Sequence, residues 1–104
     1  MSRKKHIDLL KNFKQRLSQK IKVNKLVLFG SRVSGRPTRY SDFDLIVVSP
    51  NFRKVDSLKR SKLFYSEWTM DYPVDFICYT PEEFNKLKKD ITIVSQALKK
   101  GIEI

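Results

Sequence analysis

The sequence predicts an α/β fold, or α+β in the broader sense, in one small domain that spans residues 1–104. Three short apolar runs, at residues 26–29, 42–48 and 73–79, have the length and composition of buried strands, and helical segments alternate with them. A chain of 104 residues with 40% hydrophobic and 32% charged residues is typical of a globular domain with one modest core. The order α-β-α-β-α-β-α does not require the sheet to be all parallel.

The first half of the chain contains a helix, a strand and a tight turn. Over residues 5–21, apolar residues recur at helical spacing opposite a face of Lys and Arg: Leu10, Phe13, Leu17 and Ile21. The strand at residues 26–29 follows and ends at Gly30. Residues 31–35 have room for about one helical turn, because Pro37 disfavours helical geometry at the residue before it.

The second half is predicted to hold three helices. The first begins at an Asp-Ser cap and covers residues 56–68, with these candidates for its buried side: Leu58, Leu63 or Phe64, and Trp68. Thr80, followed by proline and two acids, is a strong helix start. A last helix over residues 91–99 ends at Gly101, whose lack of a side chain suits a C-cap.

Two aspartates stand at the start of the second predicted strand. Asp42 and Asp44 flank Phe43 and are followed directly by the apolar residues 45–48. Because side chains alternate along a strand, both carboxylates lie on one face. Carboxylates so close repel each other unless a cation lies between them, and Mg²⁺ is typically held by one or two carboxylates plus substrate phosphates. The pair indicates a magnesium site, with an acidic pair on a solvated surface as the alternative.

A turn suited to phosphate and a third carboxylate extend this pattern. Gly30 ends a buried strand, where its backbone can approach a ligand closely, and Ser31 adds an amide and a hydroxyl. Asp75 is a single charge within the apolar run 74–77, where burial without a partner costs several kcal/mol. Asp75 therefore has a structural Lys or Arg as its partner, or shares a metal with the other aspartates, or lies at an edge of the sheet. Two such metals would support phosphoryl transfer.

The charge balance favours anionic partners. Lys+Arg 22 against Asp+Glu 11 gives a formal net charge of +11, and no acidic residue lies between Asp8 and Asp42. This basic stretch is either a solvated face or an approach surface for a triphosphate, RNA or an acidic protein. A non-catalytic nucleic-acid-binding module is therefore an alternative, in which four aromatic residues would stack on bases: Phe13, Tyr40, Phe52 and Tyr65. His6, in the basic N-terminal segment, is expected to be solvated.

The single cysteine and the lack of long apolar runs indicate the cellular compartment in which the protein is expected. Cys78 has no partner for an intrachain disulfide, and its apolar surroundings are typical of a buried hydrophobe rather than a nucleophile. No apolar run approaches the length of a membrane span, and no signal-peptide pattern follows Met1. We therefore expect a cytoplasmic protein without a membrane partner.

Three segments together resemble a known family. Residues 29–35 (Phe-Gly-Ser-Arg-Val-Ser-Gly), 41–45 (Ser-Asp-Phe-Asp-Leu) and 74–76 (Val-Asp-Phe) are similar in type, order and spacing to the minimal nucleotidyltransferases of the DNA polymerase beta superfamily. The resemblance covers nearly the whole chain, as far as the closing helix before Gly101. It implies the nucleotidyltransferase fold, with a small mixed sheet of about three or four strands flanked by helices.

The resemblance also implies a Mg²⁺-dependent enzyme, similar to protein adenylyltransferases, that moves a nucleoside monophosphate from ATP or another NTP to a hydroxyl group. By match of motif, Asp42 and Asp44 would bind two metal ions, and Asp75 would complete the site and help to activate the acceptor. The candidate contacts to the triphosphate are the turn and, by proximity alone, two arginines: Gly30, Ser31, Arg32 and Arg36.

The motifs do not specify the acceptor. Members of the resembled group commonly act as the antitoxin of a pair whose toxin is a HEPN-domain RNase, and they transfer AMP to a tyrosine of that toxin. The resemblance therefore implies a HEPN-domain partner. Transfer to a small molecule or to an RNA end, with a separate substrate-binding subunit, is the alternative. Nucleic acid is a partner that the basic stretch allows but does not require.

Overall fold

The computed structural model of the protein describes residues 3–35, 41–90 and 92–104. Its helices and strands are, in chain order, α1 (Arg3–Leu17), β1 (Lys25–Phe29), α2 (Ser31–Ser34), β2 (Phe43–Val48), β3 (Val74–Tyr79), α3 (Pro81–Leu87), α4 (Ile93–Lys100) and β4 (Ile102–Glu103). Between β2 and β3 lie the 3-10 segments Pro50–Phe52, Ser57–Leu63 and Tyr65–Glu67. In the described part of the chain, no helix is long and apolar enough to cross a lipid bilayer.

The strands of the described part form one mixed sheet in the order β3-β2-β1-β4. β1 pairs antiparallel with β2 and with β4, whereas β2 and β3 run parallel. The predicted α/β (α+β) class and the mixed sheet are confirmed. β4 was not predicted, because a strand of 2 residues is too short to give an alternating pattern. Since β2 and β3 are parallel, they begin at the same end of the sheet.

Helices cover both faces of this sheet. On one face, Phe43, Leu45 and Val47 of β2 pack with α1. On the other, Ile46 and Val48 pack with α3 and α4. The alternation is that of a strand buried on both sides. The helices contribute these buried residues: Leu10, Phe13 and Leu17 from α1, Phe84 from α3, and Val94 and Ala97 from α4.

α1 confirms the predicted amphipathic helix, although it ends at Leu17 rather than at Ile21. Leu10, Phe13 and Leu17 are fully buried, as the spacing predicts. After the helix the backbone tightens, and the carbonyl oxygen of Leu17 accepts hydrogen bonds from the amides of Lys20 (2.9 Å) and Ile21 (3.0 Å). Ile21 is therefore buried, but it lies in the turn after α1 and not in the helix.

The predicted helix at residues 56–68 is wrong. Asp56 caps the segment as expected, because its carboxylate accepts a hydrogen bond from the amide of Leu58 at 3.1 Å. The chain then forms 3-10 segments instead of an α-helix. Leu58 is 85% exposed and Leu63 is 42% exposed, whereas Phe64 is fully buried. The predicted burial of Phe64 is therefore confirmed, and the predicted burial of Leu58 is wrong.

Arg60 connects this 3-10 segment to β3 and α3. Its side chain is buried and donates hydrogen bonds to the carbonyl oxygens of Val55 (3.0 Å) and Cys78 (3.1 Å). It also forms an ion pair with Glu83. These long-range bonds exist only in the folded chain, so they override the local preference for helix. Because β3 is an edge strand, the bond to Cys78 also covers part of an open sheet edge.

The predicted start of α3 and the predicted end of the last helix at Gly101 are confirmed, whereas α4 begins at Ile93, two residues later than predicted. The hydroxyl of Thr80 accepts a hydrogen bond from the amide of Glu83 (3.2 Å), and the Glu83 carboxylate accepts one from the amide of Thr80 (2.8 Å), which is a capping box. Ile91, where the last helix was expected to begin, lies outside the described residues. Gly101 ends α4 in extended backbone, and a side chain there would meet the carbonyl oxygen of Leu28 at 2.8 Å.

Candidate active site

The parallel pairing of β2 and β3 brings acidic residues together at one end of the sheet. Asp44 lies opposite Asp75 in the register, so their backbones are neighbours at the usual strand spacing of about 5 Å. Asp42 directly precedes Phe43, the first residue of β2, so the strand begins one residue later than predicted. The three aspartates singled out in the sequence therefore lie at one place in the fold.

The carboxylates at this end of the sheet influence one another. Asp44 is half-buried, whereas Asp42 and Asp75 are exposed. Burial raises the pKa of Asp44 above its usual value, and the negative charges of Asp75 and then Asp42 raise it further. Each carboxylate thus disfavours ionisation of Asp44. A cation bound between them would reverse this effect.

The turn after β1 packs directly against Asp44. Phe29, the last residue of β1, pairs with Asp44. Gly30 follows with φ 83 and ψ −155, a conformation essentially restricted to glycine. A Cβ atom at Gly30 would lie 3.1 Å from Cγ of Asp44 and would overlap its Oδ2. Glycine at this position is therefore what allows the turn and the carboxylate to share the space.

Ser31 begins α2, and its side chain is exposed. The single turn expected from the sequence is confirmed, since α2 has 4 residues. The amide of Val33 donates to the carbonyl oxygen of Gly30 and the amide of Gly35 to that of Ser31, both at 3.0 Å. So short a helix has a weak dipole. A phosphate held here would depend on backbone amides and on the Ser31 hydroxyl.

Arg32 lies in the interior, which no feature of the sequence indicated. It is 6% exposed, and its Nε and Nη2 donate to the carbonyl oxygen of Ser41 at 3.0 and 2.7 Å. The guanidinium carbon is 4.2 Å from the centre of the Phe43 ring and 4.8 Å from that of Tyr72. These contacts join segments far apart in the chain, so local patterns could not reveal them. Arg36, the other candidate arginine, lies outside the described residues.

The donor atoms at the acidic end are hard oxygens, which suit Mg²⁺ better than softer metals. Cys78 is not a candidate ligand, because burial raises the pKa of its thiol to about 12 and keeps it protonated. Among the described residues, no three His, Cys, Asp or Glu side chains are already gathered closely enough to hold an ion. Carboxylates without a cation repel one another. The fit to Mg²⁺ therefore lies in the backbone placement and oxygen chemistry of Asp42, Asp44 and Asp75.

Of the aromatic residues considered for base stacking, those that the structure describes do not form a stacking surface. Phe13 and Phe52 are fully buried. Tyr65 is 52% exposed, but its ring packs edge-on against Phe76 with centroids 5.9 Å apart. Tyr40 lies outside the described residues. Since buried rings cannot stack on bases, the described side chains give no support to a base-stacking module.

A mixed sheet with helices on both faces, an acidic end and a glycine turn beside it defines a class of small nucleotide-handling domains. The profile of the nucleotidyltransferase domain family matches residues 10–100. The chain belongs to this family, and it is a nucleotidyltransferase.

Two known proteins illustrate the similarity. Over 79 residues, the chain is 34% identical to a protein of Haemophilus influenzae named "Probable protein adenylyltransferase MntA", and the match covers 72% of this chain and 68% of that protein. A crystal structure from Sulfolobus solfataricus, assigned as a nucleotidyltransferase, superposes with a TM-score of 0.64 at 18% identity, covering 92% of this chain and 76% of that one. At this identity, the structural match shows the fold alone.

Proposed function

We propose that this nucleotidyltransferase depends on Mg²⁺ and transfers AMP from ATP to a tyrosine hydroxyl of a HEPN-domain toxin, for which it acts as the antitoxin. One observation carries the proposed site: the β2–β3 register sets Asp44 opposite Asp75, and Asp42 lies two residues before Asp44 in the chain. The choice of AMP and of a protein acceptor is supported by the relative that is named as a protein adenylyltransferase. The HEPN partner follows from the resemblance to minimal nucleotidyltransferases.

In this proposal Asp42, Asp44 and Asp75 hold the metal. Their oxygen donors suit Mg²⁺. The pKa of Asp44 is raised by burial and then by the charges of Asp75 and Asp42, and a bound cation would relieve this repulsion. Mg²⁺ bound there would neutralise charge on the triphosphate and lower the pKa of the acceptor hydroxyl. Asp42 and Asp75 are exposed, so substrates in solution can reach them.

Gly30 and Ser31 provide the other half of the proposed site. Gly30 keeps the turn in contact with Asp44, so a phosphate held by the turn lies beside the carboxylates. The exposed Ser31 hydroxyl donates a hydrogen bond to a phosphate oxygen. The turn therefore orients the triphosphate with respect to the acidic residues.

The reaction exchanges a phosphoanhydride bond of ATP for a phosphate ester bond to tyrosine. The tyrosine oxygen forms a bond to the α-phosphorus of ATP as the bond from that phosphorus to the bridging oxygen breaks, and pyrophosphate leaves with the bonding electrons. Asp75, exposed at the start of β3, accepts the hydroxyl proton. The product tyrosine carries a bulky anionic AMP group, which disrupts an RNase surface by charge and size.

The test is a transfer assay with ATP labelled at the α-phosphate. The purified chain is incubated with Mg²⁺ in the presence and absence of the protein encoded by the neighbouring gene. We expect label on a tyrosine of that protein, which is lost when the tyrosine is changed to Phe or when EDTA is added. Asp42→Ala is expected to abolish labelling, whereas Asp90→Ala, which alters an exposed aspartate outside the site, is expected to leave it unchanged.

Other outcomes of this assay point elsewhere. Label in a low-mass or RNase-sensitive fraction would indicate a small-molecule or RNA acceptor and would overturn the protein acceptor. Equal labelling by the wild type and Asp42→Ala would contradict the proposed site. Absence of nucleotide transfer to any acceptor would count against the proposal as a whole.

A further inference from the structure

Arg32 connects two parts of the molecule that the proposed site must keep together. It belongs to α2, which begins at Ser31, and its guanidinium group reaches Ser41, the residue before Asp42. Nε and Nη2 both donate to the carbonyl oxygen of Ser41, at 3.0 and 2.7 Å. Two charged donors on one oxygen constrain both the position and the direction of this peptide group.

The same guanidinium group packs against two aromatic rings. Its carbon lies 4.2 Å from the centre of the Phe43 ring and 4.8 Å from that of Tyr72, and the two rings contact each other with centroids 5.4 Å apart. Phe43 is fully buried and immediately follows Asp42. Arg32 therefore contacts the chain on both sides of Asp42: the Ser41 carbonyl before it and the Phe43 ring after it.

Burial distinguishes this role from a contact to phosphate. Arg32 is 6% exposed, so its guanidinium group is not presented to the solution from which a triphosphate arrives. By contrast, the side chains of Ser31 and Asp42 are exposed. A buried charge is stable only where fixed partners replace its water, and the Ser41 carbonyl oxygen and the two rings provide such partners.

His6 packs against the same two aromatic rings that contact Arg32. It was expected to be solvated, but it is half-buried and lies edge-on to the rings of Phe43 (5.3 Å between centroids) and Tyr72 (5.5 Å). Burial lowers the pKa of His6, and the positive charge of Arg32 lowers it further. The imidazole is therefore neutral at neutral pH and adds no second positive charge beside Arg32.

We infer that Arg32 is a positioning residue, which holds the Ser41–Phe43 backbone so that Asp42 is directed into the metal site, and that it does not bind the triphosphate. This inference rests on the proposed role of Asp42 as a metal ligand. The arrangement requires a planar group that donates from two nitrogens while its faces lie against rings, which arginine provides and lysine does not. The expected result of replacing Arg32 is therefore the same for Ala and for Lys.

The test measures Mn²⁺ binding by electron paramagnetic resonance in the absence of nucleotide. Residues that orient a metal ligand typically change metal affinity by about 10–100-fold when they are replaced. We expect Arg32→Ala and Arg32→Lys each to weaken Mn²⁺ binding by about tenfold or more, and added guanidinium ion to restore part of the loss in Arg32→Ala. Arg53→Ala, which alters an exposed arginine at the other end of the sheet, is the matched control and should bind Mn²⁺ as the wild type does.

Hydrogen–deuterium exchange at residues 41–44 gives a second readout that needs no metal. Faster exchange is expected there in both Arg32 variants and not in Arg53→Ala, because the Ser41 peptide loses its partner. If exchange rises while even the wild type fails to bind Mn²⁺, Arg32 holds the Ser41–Phe43 backbone but the proposed metal site fails, and with it the role of Arg32 in directing Asp42 to a metal. If exchange and metal affinity both stay at wild-type values, the inference is overturned.

A role in phosphate binding would give a different pattern. The KM for ATP would rise with kcat unchanged, nucleotide-free Mn²⁺ binding would be unaffected, and Arg32→Lys would retain most of the function. That pattern would contradict the inference. Tyr72→Leu, which removes one ring and leaves the bonds to Ser41, is the second variant in case Arg32→Ala does not fold. It is expected to shift Mn²⁺ affinity in the same direction by a smaller factor.

Discussion

The two ends of the sheet hold their carboxylates in different ways. At the end where β2 and β3 begin, the aspartates of the proposed site lie together, and among the described residues no Lys or Arg forms an ion pair with them. At the other end, Glu83 pairs with Arg60 and Glu82 pairs with Arg53. Among the described residues, arginine side chains thus neutralise the carboxylates at the second end but not those at the first.

The pKa values of the carboxylates are shifted in opposite directions at the two ends of the sheet. The pKa of Asp44 is raised by burial and by the charge of Asp75. The pKa of Glu83 is lowered, chiefly by its hydrogen bond from Arg60, and that of Glu82 is lowered in the same way by Arg53. Ionised carboxylates thus stabilise the folded chain at one end and destabilise it at the other. Such local conflict is expected at a functional site and not at a structural one.

Replacing Asp44 by Asn tests the acidic end and has the largest expected effect. AMP transfer should fall by a factor on the order of 10²–10³ or more, because an oxygen ligand at the reacting phosphate is lost. In EDTA, however, Asp44→Asn should melt at a higher temperature than the wild type, because the repulsion is removed. Asp90→Asn is the control and should change neither quantity. A variant that keeps its activity, or that melts earlier in EDTA, would contradict the contrast between the two ends.

Replacing Arg60 by Met tests the opposite end. The change removes the Arg60 donor from the carbonyl oxygens of Val55 and Cys78 and the cation from Glu83, which keeps its hydrogen bond from the Thr80 amide. The free energy of unfolding should therefore fall by about 2–4 kcal/mol. Urea denaturation measures this loss. The kcat of transfer, measured well below the melting temperature, should stay at the wild-type value. Arg53→Met breaks an ion pair whose side chains are 55% and 60% exposed, and we expect no resolvable change in stability. A large loss of kcat in Arg60→Met would show that the two ends are not independent.

Gly30→Ala tests the contact between the turn and Asp44. Forcing a side chain into the backbone conformation of Gly30 should cost about 1–3 kcal/mol of stability. The new methyl group must also displace the Asp44 carboxylate, so transfer should fall as well. Gly35→Ala is the comparison variant: its φ of −106 is open to any residue, and a Cβ atom there would lie 3.1 Å from the carbonyl oxygen of Ser31, so a smaller loss of stability is expected. Equal effects of the two variants on transfer would contradict the proposed placement of Asp44.

The pH dependence of stability should have opposite signs at the two ends. Since the pKa of Glu83 is lowered by folding, its stabilising effect is present above the ordinary Glu pKa and is lost as the pH falls through the folded-state value. The stability gap between the wild type and Glu83→Gln should therefore shrink in acid. Since the pKa of Asp44 is raised, the advantage of Asp44→Asn in EDTA should be absent below the ordinary Asp pKa, grow as the pH rises from there to the raised value, and be complete above it. Denaturation across this pH range checks both signs.

Local patterns predicted much of the fold. Helical spacing gave the buried side of α1, apolar runs gave β1, β2 and β3, and the Thr80 cap gave the start of α3. These features depend on neighbours in the chain, so the sequence displays them. The region 56–68 could not be predicted in this way, because Arg60 bonds to Cys78 and Glu83, which approach it only in the folded chain.

The candidate site also combines features that are visible in the sequence with features that only the folded chain shows. The three aspartates and Gly30 were singled out because a charge beside an apolar run, or a glycine at a strand end, is visible in the sequence. The structure brings them to one place through the pairing of β2 with β3 and of Phe29 with Asp44. The enclosure of Arg32 by Phe43 and Tyr72 was missed, because a basic residue beside a phosphate-type turn looks the same in sequence whether it is buried or exposed.

Whether the acidic end of the sheet binds metal can be measured directly with Mn²⁺. The wild type and Asp44→Asn are titrated with Mn²⁺ in the presence of a non-hydrolysable ATP analogue, and bound ions are counted by electron paramagnetic resonance. We expect about two ions per wild-type chain, as in two-metal phosphoryl-transfer sites. We also expect a large loss of binding in Asp44→Asn, even though this variant is the more stable one in EDTA. Equal binding by the two proteins, or no binding by the wild type, would contradict the proposed metal site.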